Sequence, residues 1–235
     1  MRPLRRTRGK IQLTKLTLGS VLGWLAVGAL VLWTVPVLFL VAARWIDPPT
    51  TAVQMQRRMQ ARIHHKPYQK RFDFVPLAQI SPDLQHAVVA AEDARFYQHH
   101  GFDWHEIQVA ADEDLEGERV RGASTLTQQL VKNLFFGTGR SIFRKGAEAS
   151  LVPVAEFVLG KRRILELYLN LVEWGPGVYG AEAASRFYYR ASARVVGREE
   201  AALLAAILPA PLKRRPERMH RYSEIILNRM SQMGW

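Results

Sequence analysis

Residues 81–101 read SPDLQHAVVAAEDARFYQHHG. The opening serine and proline predict a helix start, with Ser81 as N-cap and Pro82 in the first turn. From there Leu84, Val88, Glu92 and Phe96 recur every four residues, which predicts one helical face running through Phe96. A carboxylate inside an apolar row is desolvated, and desolvation raises its pKa toward values useful for proton transfer. Glu92 is therefore a candidate general base. Taken alone, the segment also fits an amphipathic helix whose edge glutamate faces water.

Working back toward the N-terminus, no charged residue occurs in the 28 positions from Leu16 to Ala43. That run exceeds the roughly 20 residues a helix needs to cross a bilayer, and it is longer than the 7–15-residue apolar core of a cleaved signal. Residues 16–43 are thus expected to be a membrane anchor, with Pro36 kinking the helix. Arg2, Arg5, Arg6, Arg8, Lys10 and Lys15 precede it, and no acidic residue occurs before Asp47. The positive-inside rule places residues 1–15 in the cytoplasm and everything after Arg44 on the far side. Those six basic residues leave 27 of 33 against all 21 acidic ones, so the exported part keeps a charge of +6. Such a surface next to a membrane suits an anionic partner. With no cysteine, disulfides, thiol nucleophiles and cysteine-bound metal are excluded.

Asp47-Pro48-Pro49-Thr50-Thr51 breaks the chain after the anchor. Residues 44–70 form a basic juxtamembrane segment in which Met55, Met59 and Ile63 have helical spacing. Residues 71–235 make the exported domain. Ala110–Glu118, with five acidic residues, is expected to be a mobile loop. A second helix begins near Gly122-Ala123-Ser124-Thr125, where Thr125 and Gln128 have capping-box spacing, although Ser124 is an alternative cap. Leu126, Leu130 and Leu134 form its buried row, and Ser124, Gln128 and Lys132 share another. Arg144 and Glu148 are i,i+4 neighbours on a helix that Pro153 should kink or split near Val152. Further helices are expected over Lys161–Leu171, Arg198–Leu208 and Glu217–Met233, with a turn at Gly175-Pro176-Gly177. No alternating stretch is long enough to predict a strand.

Four spaced blocks are more specific than any of these features alone. They are Glu92-Asp93-x-x-Phe96-x-x-His99-x-Gly101, Gly122-Ala123-Ser124-Thr125-x-Thr127-Gln128-Gln129, Arg144-Lys145-x-x-Glu148 and Arg163-Ile164-Leu165-Glu166-x-Tyr168-Leu169-Asn170. Their order and spacing resemble the peptidoglycan glycosyltransferases, glycosyltransferase family 51, from about Phe74 to Leu212. Within that family the likeness is greatest to the monofunctional biosynthetic transglycosylases. The chain has no Ser-x-x-Lys or Lys-Thr-Gly pair of a transpeptidase. Tyr188-Tyr189-Arg190-Ala191 departs from the Tyr-Phe-Gly-Lys often found in the family, and Pro153 is a second departure.

The resemblance implies a mainly α fold, with a lysozyme-like helical lobe and a smaller membrane-proximal lobe preceded by one N-terminal transmembrane helix. It implies polymerisation of lipid II into β-1,4-linked glycan at the bacterial inner membrane, with the catalytic domain in the periplasm. Expected partners are lipid II, the growing lipid-linked glycan, the membrane and other cell-wall synthesis and division proteins, and not nucleic acid. Glu92 would be the base and Glu148 the second essential carboxylate, which either orients cations or helps bind a divalent ion, Mg2+ or Mn2+. Lys132, Arg140, Arg144 and Lys145 would neutralise the departing diphosphate, while Ser124, Gln128 and Gln129 position sugar and phosphate oxygens. Asp93 and Glu166 are read as structural. A lytic muramidase would need an acid for a sugar leaving group and has little use for a basic cluster. A non-catalytic scaffold would not need both glutamates. Zinc binding by His99-His100 or His64-His65 is disfavoured, because adjacent histidines do not face one ion.

Overall fold

The computed structural model describes residues 18–115, 124–139 and 141–235. The chain divides at Pro36 into two units, the apolar N-terminal part and residues 37–235. Helix α1 (Leu18–Ala43) continues through Pro36. Its stretch Gly19–Ala43 has a mean hydropathy of 2.5 and is almost entirely unburied, as expected of a membrane span. The basic tail, residues 1–15, lies outside the described residues.

Residues 37–235 are mainly α-helical, as the sequence predicts. Helix α2 (Ala52–Ile63) starts at an N-cap, Thr51, whose hydroxyl accepts the Gln54 N–H. Next come β1 (Arg71–Phe72), α3 (Pro82–Glu92), α4 (Trp104–Leu115), α5 (Leu126–Phe135) and α6 (Ile142–Leu171). A hairpin of β2 (Glu173–Gly175) and β3 (Val178–Tyr179) leads into α7 (Ala181–Tyr189), α8 (Arg198–Ile207) and α9 (His220–Gln232). The sheet order is β1-β3-β2, with β1 parallel and β2 antiparallel to β3. Strands of two or three residues leave no alternation to read in the sequence. Helix α5 packs on α6, and α3 packs on α8 and α9. Leu84, Val88, Leu126, Leu130, Ile164 and Leu204 in these helices are essentially inaccessible.

Four boundaries differ from expectation. Helix α3 stops at Glu92 because Asp93 leaves helical geometry at φ −161°, so Phe96 enters the core from a turn and not from the helix. Residues 110–115 are helical, since Asp103 Oδ1 accepts the N–H groups of His105 and Glu106 at the start of α4. Residues 116–118 of that acidic segment lie outside the described residues. Pro153 leaves α6 helical around it, while Gly160 (φ 70°, ψ 163°) interrupts the helix seven residues later. Pro153 is exposed, so the carbonyl it frees need not be buried, whereas the backbone region at residue 160 is open essentially to glycine alone. Helix α9 begins at His220, after a 3-10 turn at Pro216–Arg218.

Three side chains of the fourth block fasten this scaffold. Asn170 Oδ1 accepts the Val75 N–H and its Nδ2 donates to the Val75 carbonyl, both at 2.9 Å. Glu166 accepts the Leu77 N–H at 2.7 Å and Arg163 Nη1 at 2.6 Å. Arg163 Nε donates to the Ala43 carbonyl at 2.9 Å, and its Nη2 reaches Asp47 Oδ1 at 2.7 Å. The last turn of α1 is thus capped by a cation from α6. The structural reading of Glu166 holds.

Helix α7 ends on Arg190, a non-glycine residue in the left-handed region at φ 57°. That conformation costs about 1–2 kcal/mol relative to right-handed geometry. A cation at a helix C-terminus returns about 0.3–1 kcal/mol, so the arginine is a net local cost. Gly180, at the other end of α7, is required by space. Its φ is 88°, and a Cβ there would lie 2.6 Å from the Asn170 carbonyl oxygen. Gly180→Ala should destabilise the protein by roughly 2 kcal/mol or more, lowering the thermal midpoint of the detergent-solubilised chain by about 4–8 °C.

Candidate active site

The site is assembled where the end of α3 meets the start of α5. Asp93 is buried, and each of its oxygens is used. Its Oδ2 accepts the Leu126 N–H at 2.9 Å, and its Oδ1 lies 2.9 Å from His99 Nε2. His99 Nδ1 accepts the Gly101 N–H at 3.0 Å, so Nε2 carries the proton that bonds to Asp93. Thr125 closes the turn by donating to the Gly101 carbonyl at 2.7 Å. The capping box predicted for Thr125 and Gln128 is present, with Thr125 and not Ser124 as the cap. Asp103 brings a third potential metal ligand near Asp93 and His99. The tautomer of His99 and the contacts of Asp93 make this group a hydrogen-bonded clasp.

That clasp sets Glu92 against α5. Gln129 Nε2 donates to Glu92 Oε2 at 2.8 Å, and the Tyr168 hydroxyl donates to Gln129 Oε1 at 3.0 Å. Tyr168 comes from the second half of α6 and is fully buried. Burial pushes its hydroxyl pKa well above the usual phenol range, so it stays a donor. The tyrosine fixes which end of the Gln129 amide faces the carboxylate. Glu92 itself keeps part of its surface accessible although protein atoms crowd its carboxyl group. Burial raises its pKa, while the Gln129 hydrogen bond and the charges of Arg214 and Lys132 pull it down less strongly. One oxygen of Glu92 is therefore held by an amide, and the other accepts no hydrogen bond from the protein among the described residues. This is the arrangement of a carboxylate able to take a proton.

A second cluster lies at the other end of α5. Arg144 Nη1 is 2.8 Å from Glu148 Oε1, and Lys145 Nζ is 3.8 Å from Oε2. Glu148 is buried, yet among the described residues no N–H points along the line to its Oε1, and the buried Arg144 Nε has no acceptor. Arg144 Nη1 also donates to the Gly137 carbonyl at 3.2 Å, just past the end of α5. Helix α5 thus carries the contact to Glu92 in its first half, at Gln129, and the contact to Arg144 just past its end, at Gly137. The Mg2+ or Mn2+ suggested for Glu148 fits poorly, because one carboxylate flanked by two cations offers little to a divalent ion.

Of the sequence candidates, Gln129 touches Glu92, and Lys132 acts on it electrostatically. Ser124 presents its carbonyl to Gln129 Nε2 at 3.3 Å. Gln128 is buried, with its Oε1 committed to the Thr125 N–H. Arg140 lies outside the described residues. Two residues escaped the sequence reading, Tyr168 and Arg214. Tyr168 enters the sequence analysis only as a member of the fourth block, and its hydroxyl is the signal passed over there. Arg214 belongs to the run Lys213-Arg214-Arg215 after Pro211 and donates to the Ala206 carbonyl at 2.8 Å.

The family model described as Transglycosylase matches residues 57–231. Similar proteins named biosynthetic peptidoglycan transglycosylase occur in Pseudomonas putida strain F1, at 42% identity over 92% of this chain and 91% of the relative. The Aeromonas hydrophila protein of that name is 46% identical over the same shares. The one from Shewanella oneidensis is 48% identical over 80% of both chains.

The relay from Tyr168 through Gln129 stabilises the ionised form of Glu92. Gln129→Ala should favour the protonated acid, so the rising, acidic limb of the rate–pH profile should move to higher pH and turnover should fall about tenfold. Tyr168→Phe should move the limb in the same direction by less, with KM little changed. Measuring kcat against pH for both variants checks this, and an unmoved limb in both would remove the relay from the mechanism.

Proposed function

The chain belongs to the transglycosylase family, and from that premise we propose that it polymerises lipid II into β-1,4-linked glycan and has no transpeptidase activity. The observation that carries this reading is the crowded Glu92 carboxylate, one oxygen held by Gln129, with Lys132 and Arg214 in electrostatic reach. Lysis by a muramidase would leave the cationic cluster around Glu148 without a task.

In the proposed reaction, Glu92 takes the proton from the 4-hydroxyl of the incoming GlcNAc. The hydroxyl oxygen bonds to the anomeric carbon of the chain's terminal MurNAc from the face opposite the diphosphate. The bond to the diphosphate breaks, its electron pair stays on the departing oxygen, and the anomeric centre inverts, in parallel with inverting glycosidases. The leaving undecaprenyl diphosphate is already a stabilised anion, so it needs charge neutralisation more than protonation. Lys132, Arg140, Arg144 and Lys145 supply that charge. Glu148 orients Arg144 and Lys145. Ser124 and Gln128 shape the start of α5, so their positioning role is exerted through the backbone and the cap.

A lipid-linked substrate calls for an apolar approach. Ile142, Phe143 and Phe157 on α6 are 90%, 92% and 89% exposed, and Trp45 and Ile46 after the anchor are exposed as well. Large apolar side chains this exposed suit acyl chains or headgroup boundaries better than water. The reading includes a single-pass protein of the bacterial inner membrane, with residues 1–15 cytoplasmic, 16–43 spanning, 44–70 juxtamembrane and 71–235 catalytic on the periplasmic side. Other wall-synthesis and division proteins would be its partners there.

Glu92→Gln keeps the shape and removes the base, so glycan formation by the full-length protein from purified lipid II should fall at least about a hundredfold. Lys132→Ala and Arg144→Ala should lower the rate by weakening the hold on the diphosphate. Near-normal turnover of the Glu92 variant, or activity on finished sacculi in place of lipid II, would reject the assignment.

A further inference from the structure

A cavity of about 390 Å3 opens between β1 and α7, lined by Arg71, Phe72, Asp73, Arg186, Phe187 and Arg190. None of these residues belongs to the Glu92 or Glu148 clusters. Three arginines and one carboxylate, the exposed Asp73, line it. Glu182 holds Arg186 Nε at 2.7 Å, but the Arg186 side chain is 64% exposed, which leaves its terminal nitrogens to other acceptors. Arg71 stacks its guanidinium 5.1 Å from the Phe187 ring centre and gives one N–H to Gln69 Oε1 at 3.2 Å. Arg190 is the residue held in the left-handed region at the end of α7, and its guanidinium meets no carboxylate among the described residues.

The helix dipole does not account for Arg190. Arg186 already supplies a cation to the last turn of α7, and glycine would end the helix without strain. A strained residue retained for its side chain points to a role for that side chain. Three guanidinium forks around a cavity with phenyl walls suit an anion with several terminal oxygens. A phosphate ester offers more of them than a carboxylate, and arginine binds phosphate bidentately.

We propose that the cavity between β1 and α7 is a second anion site, separate from the catalytic cleft, that binds a phosphate ester group. Its strand starts close to the segment that follows α1. Lys70, which precedes β1, donates to the Pro49 carbonyl at 2.9 Å, and Pro49 is six residues from the end of α1. Six extended residues reach at most about 22 Å. The phosphate can therefore come from an anionic lipid headgroup or from a soluble phosphate.

Isothermal titration calorimetry on the full-length protein in neutral detergent separates these sources. The titrants are dihexanoyl phosphatidylglycerol, inorganic phosphate and, as controls at equal ionic strength, dihexanoyl phosphatidylcholine and chloride. Saturable binding is expected in the wild type and in Arg144→Ala, which weakens the catalytic anion site. Binding in Arg190→Gly and in Arg71→Ala should be about tenfold weaker. Phosphatidylglycerol binding without inorganic phosphate binding assigns a headgroup, and binding of inorganic phosphate assigns the free anion. Arg190→Gly should also melt at a higher temperature without ligand, because glycine relieves the left-handed strain, and should keep the wild-type rate of glycan transfer. Equal affinity in wild type, Arg190→Gly and Arg71→Ala, heats that chloride reproduces, or a lower melting temperature for Arg190→Gly would overturn the proposal.

Discussion

The hold of Asp93 on the first turn of α5 is the constraint on which the rest of the site depends. An isolated carboxylate in a protein interior is costly, and it persists only where donors surround it. Here a helix N-terminus supplies the Leu126 N–H together with a favourable dipole, and His99 supplies a second donor. The backbone dihedrals of Asp93, φ −161° and ψ 71°, end α3 at the residue before it. Glu92 is thereby left at a helix terminus, where its side chain can face α5 and not the core. Thr125 and Gln128, closing their box over the same turn, keep the donor at Leu126 in place.

Two adjacent carboxylates consequently have opposite lives. Asp93 has both oxygens committed and works as a bracket. Glu92 has one oxygen committed and is crowded enough that its proton affinity rises. Chemistry at neutral pH needs this separation of roles, since a base must be ionised often enough to act and basic enough to pull. Tyr168 extends the constraint into the second half of α6. Its buried hydroxyl orients an amide that would otherwise be free to present either end. The interruption at Gly160 lets that half of α6 take its own direction.

Much of this was legible in the sequence because it is local. The Ser81 cap, the Thr125–Gln128 box, the Arg144–Glu148 pair and the Leu126–Leu130–Leu134 row are all relations within four residues or multiples of that step. What stayed hidden is long-range or too short to have a period. Phe96 kept the right spacing but reaches the core from a turn, because spacing alone cannot reveal a helix ended by a distant donor. The β1-β3 pairing joins residues more than 100 apart through strands of two residues each. Pro153 carried a strong breaking signal, yet its exposed position tolerates the lost hydrogen bond, while Gly160 carried a weak one and takes the break. Arg214 sits in a basic run that composition alone assigns to a solvated surface.

The fourth block shows how one stretch of helix serves both anchoring and chemistry. Arg163 and Glu166 face the chain leaving the span, binding Ala43, Asp47 and Leu77. Tyr168 and Asn170, a few positions on, face the Gln129 amide and the Val75 backbone. An α-helix turns 100° per residue, so residues 163, 166 and 170 share one side while 168 points elsewhere. A change that loosened the Arg163 contacts would shift the helix that also carries the Tyr168 hydroxyl. The placement of Glu92 through Gln129 and Tyr168 is therefore joined through one stretch of α6 to the last turn of α1, and both would have to be repacked together for either to move.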